Sequence, residues 1–154
     1  MSSKHITVQE AYQTHTLRLL GDLGERLVQS DPEKLQQFSR KCASYALLKS
    51  SLVDETLKLA LELPPSLDLI KKIQKIVVSL DEIGFNLRDA YEDHKATLDD
   101  YLLAFSKARA ADSVLALLSE TDPLSMAAHV AYEARAAIGK EEFHIFANTV
   151  LSEK

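Results

Sequence analysis

The sequence predicts an all-α protein, a bundle or antiparallel hairpin array of six to seven helices, and three observations carry that expectation. Apolar residues recur at spacings of three and four along almost the whole chain, which is the period of one helical face. Gly and Pro number four each in 154 residues, too few to punctuate many short strands. The prolines also stand where helices begin or end, not inside a periodic run. A chain of this length fits one helical domain, 1–154, able to bury about 68–70% of the surface its unfolded form exposes.

Val8, Tyr12, His15, Leu19, Leu23 and Leu27 share one face and read as a first helix. Gly21 and Gly24 each weaken it by up to about 1 kcal/mol relative to Ala, or else admit a neighbouring helix. Ser30-Asp31-Pro32-Glu33 is a stop and restart: Asp31 caps, Pro32 suits the first helical position, and Glu33 favours the positive helix start. A second helix follows over roughly 32–49, with Leu35, Phe38, Cys42, Tyr45 and Leu48 inward.

A third helix, roughly 53–63, must end at Pro64-Pro65. Ser66 caps the fourth, whose stripe is Leu69, Ile70, Ile73, Ile76, Val77 and Leu80. The β-branched run 76–78 alone would suit a strand, but Lys71, Lys72 and Lys75 alternate with apolar residues at helical spacing. Gly84 breaks or bends this helix, and the pattern resumes through Phe85, Leu87 and Tyr91.

Thr97-Leu98-Asp99-Asp100 has the form of a capping box and opens a fifth helix to about Ser119. Thr121-Asp122-Pro123 repeats the cap-then-proline device for a sixth, roughly 123–138; Gly139 ends it, and roughly 140–151 form the last. Ala108-Arg109-Ala110-Ala111 recurs as Ala134-Arg135-Ala136-Ala137, an echo that fits either a duplicated hairpin or chance among Ala-rich helices.

Composition narrows the function. With 46% hydrophobic and 27% charged residues the chain is that of an ordinary globular protein. The first ten residues lack a basic stretch followed by an apolar run, so no signal peptide is expected. No apolar stretch approaches the roughly 20 residues of a membrane span. The single cysteine, Cys42, allows no intrachain disulfide and fits a reducing, cytoplasmic setting.

Metal chemistry is the first enzymatic option. A di-metal helical bundle needs Glu-x-x-His on two helices and a Glu from two more. Glu141 and His144 have that spacing, and His129 and Glu133 share a face at i, i+4, but no second Glu-x-x-His exists. These four residues are the candidate ligands of an alternative reading, a metal-dependent helical-bundle enzyme. No other cofactor is expected. Nucleophilic catalysis lacks a G-x-S-x-G or Ser-x-x-Lys framework. Cys42 lies on an inward stripe, where a free thiol is a small buried hydrophobe, and His15 reads as a core histidine. Gly21 and Gly24 do not form a phosphate loop.

Arg109 and Asp112, with Glu133 and Arg135 on the next helix, are spaced to allow a polar cluster between two Ala-rich faces, read first as an ion-pair network fixing helix register and alternatively as a site holding an anionic group through Arg. The charge is localised. Between Asp81 and Asp100 lie seven acids (Asp81, Glu82, Asp89, Glu92, Asp93, Asp99, Asp100) against Arg88 and Lys95, leaving 16 acids and 16 bases elsewhere. The whole net charge of −5 therefore sits in this segment. That pattern argues against nucleic-acid binding, which needs clustered Lys and Arg. It suits a basic protein partner, and Tyr91 and Tyr101 beside the acids add interface composition. A solvated face that aids solubility is the plainer alternative.

Phe38-Ser39-Arg40-Lys41-Cys42-Ala43, then Asp54 and Leu57-x-x-Ala60-Leu61, with an Ala-rich second half at 108–111 and 127–137, resembles bacterial all-α immunity-type proteins. The chain departs from them in lacking Trp and in its Lys-rich fourth helix, and no functional residue carries over. The resemblance implies binding and neutralisation of a cognate toxin. The expectation from the sequence is thus a non-enzymatic interaction protein contacting its partner through Asp89, Glu92, Asp93, Asp99, Asp100, Tyr91 and Tyr101. A structural homo-oligomer is a further alternative.

Overall fold

The structure, a computed structural model, describes residues 8–153, apart from the side chains of Val8, Gln9 and Tyr12. Eight α-helices and no strand are present among the described residues. They are α1 (Val8–Leu19), α2 (Asp22–Val28), α3 (Pro32–Lys49), α4 (Glu55–Glu62), α5 (Leu67–Glu92), α6 (Leu98–Ser119), α7 (Pro123–Ile138) and α8 (Lys140–Ser152). The all-α class holds, with one helix more than the upper expectation.

The extra helix comes from the first segment. Gly21 adopts φ 61°, which a residue with a Cβ resists, and there the chain turns a corner between α1 and α2. Gly24 serves the same corner by absence of bulk, since a Cβ there would stand 2.2 Å from the Leu17 carbonyl oxygen. The predicted first stripe is therefore interrupted. His15 and Leu19 are exposed, while Thr16, Leu20, Leu23 and Leu27 are buried. His15 is thus a surface residue, not a core histidine. The predicted contributions of the Val8 and Tyr12 side chains lie outside the described residues.

The remaining boundaries follow local cap chemistry. Asp31, Asp54, Ser66 and Asp122 each accept a hydrogen bond from the backbone N–H three residues on, at Lys34, Leu57, Leu69 and Ser125. Thr97 and Asp100 complete the reciprocal capping box. At the other ends, α3 and α5 close in the same way. Ser51 (φ 58°) and His94 (φ 60°) turn left-handed, and the N–H groups of Leu52 and Lys95 return to the carbonyls of Leu47 and Ala90. Gly84 neither breaks nor ends α5, which runs unbroken for 26 residues.

At the centre, α3, α6 and α7 pack on one another, with α1 and α2 against α7, α8 against α7 and α3, and α4 beside α6. The shared interior is rich in alanine: Ala43 and Ala46 of α3, Ala110 and Ala111 of α6, and Ala127, Ala131 and Ala134 of α7 are fully buried. Phe38 and Phe143 supply its largest side chains. On α3 the buried arc runs through Leu35, Phe38, Cys42, Ala46 and Leu47. Leu35, Phe38 and Cys42 are inward as predicted, but beyond them Tyr45 is half-buried and Leu48 is 71% exposed, with Ala46 and Leu47 turned inward instead. Tyr45 instead stacks on Phe146 of α8 at 3.9 Å, with its hydroxyl at 3.3 Å from Glu142, which also pairs with Lys49 at 2.8 Å.

Helix α5 is different. It packs along α6 and lightly on α4, and Ile73, Val77 and Gly84 are its buried residues. Leu69, Ile70, Ile76 and Leu80 are partly buried against the core, whereas Ile83, Phe85 and Tyr91 are substantially exposed. The α5–α6 pair is therefore an antiparallel hairpin whose turn end stands outside the core.

The two helical glycines predict opposite responses to alanine. Gly24→Ala pushes a methyl into the Leu17 carbonyl and should destabilise by about 1–3 kcal/mol, as overpacking does. At Gly84 an added Cβ meets nothing within 4 Å, so Gly84→Ala should stabilise by up to about 1 kcal/mol through helix propensity. Urea unfolding followed by circular dichroism measures both.

Candidate functional site

Arg109 leaves α6 from within the Ala108–Ala111 run, whose other members are buried. Its guanidinium emerges at the edge of the interior and meets carboxylates from three helices. Nη2 donates to Asp81 Oδ1 of α5 at 2.8 Å, and Nη1 to Asp112 Oδ2 of α6 and Glu133 Oε2 of α7, both at 3.1 Å. The expected cluster of Arg109, Asp112 and Glu133 is thus present. It includes Asp81, which the charge pattern alone assigned to the acidic segment. Arg135, two residues beyond Glu133 and on the opposite side of α7, is not part of it.

The network extends through His129, whose Nδ1 lies 3.1 Å from Glu120 Oε1 and whose Nε2 lies 3.9 Å from Glu133 Oε1. Three carboxylates around one guanidinium leave excess negative charge in a half-buried place. Burial accordingly raises the Asp112 and Glu133 carboxyls above the usual range, and on Glu133 the neighbouring Asp112 charge adds to this while Arg109 opposes it. On Arg109, burial acts to lower the pKa, and the three carboxylates outweigh it, holding the guanidinium above its ordinary value.

The candidate metal ligands are not gathered into one centre. Glu133 faces Arg109 and His129, Glu141 is exposed on the first turn of α8, and His144 lies near Arg135 and Lys140. Burial first, then those two cations, lower the His144 pKa, and the same positive field opposes a metal ion there. Among the described residues no group of three or more His, Cys, Asp or Glu side chains is placed to hold a metal ion. Cys42 is fully buried, and desolvation pushes its thiol far above the ordinary range, as its inward position implied.

The residues of the acidic segment occupy the turn end of the α5–α6 hairpin. Asp89 and Glu92 lie in the last turns of α5, Asp93 caps it, and Asp99 and Asp100 open α6; all five are exposed. Asp100 accepts from the Thr97 N–H, and among the described residues none of the five forms a salt bridge. Tyr91 is 40% exposed, and Tyr101 is half-buried beside Phe105 with ring centres 6.3 Å apart.

Two grooves run along the hairpin, one on each side of the α5–α6 seam. One, of about 310 Å³, is lined by Asp81, Gly84, Phe85 and Arg88 against Tyr101, Phe105, Ala108 and Arg109. Its cations already lie over its rings: Arg88 is 5.4 Å from the centre of Phe85, and Arg109 5.9 Å from that of Phe105. The other, of about 370 Å³, is more apolar, with Leu80, Ile83 and Leu87 facing Leu103 and Ala104, Leu52 and Lys107 beside them, and Asp100. Sequence reading missed both, because Phe85, Leu87 and Leu103 fit a helical stripe whether or not a neighbour covers it. No helix among the described residues is long and apolar enough to cross a membrane. Comparison with protein-family models, curated proteins and solved structures finds no significant match to this chain.

Two outcomes test this description. Arg109→Met strands three carboxylates and should cost about 3 kcal/mol at pH 7. Carboxyls with raised folded-state pKa values favour the folded state most when protonated, below the ordinary carboxylate range, and lose that contribution as pH rises through the raised values. The loss in Arg109→Met should therefore shrink as pH falls from about 7 towards about 5, read by urea unfolding at each pH. Second, Cys42 should resist alkylation in native protein and react once urea unfolds it, as followed by mass spectrometry; rapid native labelling would contradict its burial.

Proposed function

We propose that this chain is a non-enzymatic interaction protein that holds a basic protein partner through the turn end of the α5–α6 hairpin. The observation that carries the reading is the placement of Asp89, Glu92, Asp93, Asp99 and Asp100 as exposed carboxylates on either side of one turn. Separated charges of this kind steer an oppositely charged surface and set the register of the encounter. Tyr91 and Tyr101 offer rigid amphipathic contact area beside them. Cap chemistry and the left-handed closure at His94 order the turn, which lowers the entropy lost on binding.

An immunity-type role is one concrete form of this reading: a partner that is a basic toxin, neutralised by occupation of its active surface. A homo-oligomer is the second reading, favoured by Leu98 and Leu102, which are 46% and 47% exposed near the same turn.

Charge reversal tests the surface. Native protein used as bait in a lysate of its own host should retain a partner that the triple variant Asp89→Lys, Glu92→Lys, Asp93→Lys loses. The affinity of the recovered pair should fall at least about tenfold on reversal, or about 1.4 kcal/mol, and the difference between wild type and variant should shrink as salt is raised. Equal affinity of wild type and variant would remove the turn end from the interface. A defined dimer in sedimentation at micromolar protein, with no partner retained, would favour the homo-oligomer.

A further inference from the structure

We propose that the apolar groove between α5 and α6 is the seat of a basic amphipathic helix belonging to the partner, a reading that rests on the acidic surface proposed above and names what binds it. Leu80, Ile83 and Leu87 stand at i, i+3 and i+7 on α5, so they form one ridge. Leu103, Ala104 and Lys107 form the facing ridge on α6. Two antiparallel ridges with a furrow between them are what a third helix packs into. From Leu80 to Leu87 the ridge rises about 10 Å, enough for about two turns of a docked helix with anchors at its own i, i+3 or i+4, and i+7 positions. Ala104 keeps the floor low, and Leu52 is held at the groove by the left-handed closure after α3.

The occupant's charge follows from the ends of the groove. Lys107 lines the part beside Leu80, and Asp100 the part beside Leu87. Beyond Leu87 stand exposed Asp89, Glu92, Asp93 and Asp99, and the segment 81–100 carries the chain's whole net charge of −5. A helix with an apolar stripe, and with Lys or Arg on the flank that reaches the hairpin turn, satisfies the apolar furrow and its acidic end. A second copy of this chain offers its own −5 segment and is opposed by like charge. Ile83 and Leu103 are 50% and 49% exposed, so the face is uncovered within the described chain.

The probe is a synthetic amphipathic peptide with leucines at i, i+3 and i+7 flanked by lysines, read by fluorescence anisotropy on the full chain. Its controls are a Lys→Gln version and a peptide of the same composition without the apolar stripe. Saturable binding is expected for the basic periodic peptide, at least about tenfold tighter than for either control. The double variant Ile83→Glu, Leu103→Glu should weaken it at least about tenfold. Phe85→Glu, on the other side of the hairpin, should change it less than about twofold. Both substituted groove positions are half-exposed, and unchanged circular dichroism verifies folding. If reversal at Asp89, Glu92 and Asp93 abolishes binding while the groove variants bind as wild type does, the acidic surface stands and the groove assignment is overturned. If the groove variants abolish binding and the Lys→Gln peptide binds as well as the basic one, the basic character of the occupant is overturned, and the acidic surface with it. No saturable binding of any peptide overturns the proposal, as does a wild-type dimer in sedimentation that Ile83→Glu dissociates.

Discussion

The close approach of α3, α6 and α7 is the constraint on which the other features depend, and alanine makes it possible. Fourteen of the 31 buried hydrophobic residues among the described ones are alanines. Small faces let helix axes come together at the short end of the usual range of about 8–10 Å. They also lose no rotamer freedom when buried, so a chain without Trp and with few large interior rings still forms a dense centre. The same closeness decides where Arg109 goes. A guanidinium starting from an alanine run has no room inside and must leave at the edge, where carboxylates of α5, α6 and α7 converge on it.

That convergence divides the molecule energetically. The central helices are held by apolar contact over much of their surface, whereas α5 has few buried residues and is clipped to α6 and, through Arg109, to α7. An ion-pair network of this kind fixes geometry more than it adds stability, because desolvation offsets most of the attraction. Local opening is accordingly expected to begin with α5 and the hairpin turn, and to spread last to α7. Elements that bind partners are commonly drawn from such lower-stability regions, and both grooves lie along this hairpin.

Much of the fold was legible because helix ends are a local matter. Asp31-Pro32, Ser66, Thr97 with Asp100, and Asp122-Pro123 mark starts that need no knowledge of the neighbours, and the helices they open begin where those residues indicate. What failed was tertiary. The corner at Gly21 exists because α2 folds back on Leu17, and a helical pattern running through both helices conceals it. Leu48 and Leu47 are equally apolar, and only the packing of the other helices around α3 buries Leu47 and leaves Leu48 71% exposed. Arg109 and Arg135 sit in matching tetrapeptides, yet one gathers carboxylates from three helices while the other lies near His144, a difference set by the neighbouring helices and not by the tetrapeptide. The acidic segment was legible as composition; that its acids flank one ordered turn, and that Asp81 pairs with Arg109 instead, is set by how α5 lies on α6.

The stack of Tyr45 on Phe146, with Glu142 at the phenol oxygen, also has a spectroscopic meaning. Without Trp, ultraviolet emission comes from five tyrosines. One of them is pressed against a ring and a carboxylate in the contact between α3 and α8, while Tyr91 and Tyr101 lie near the hairpin turn. The protein therefore carries natural optical reporters in two places, one sensitive to the docking of its last helix and the other to whatever approaches the turn.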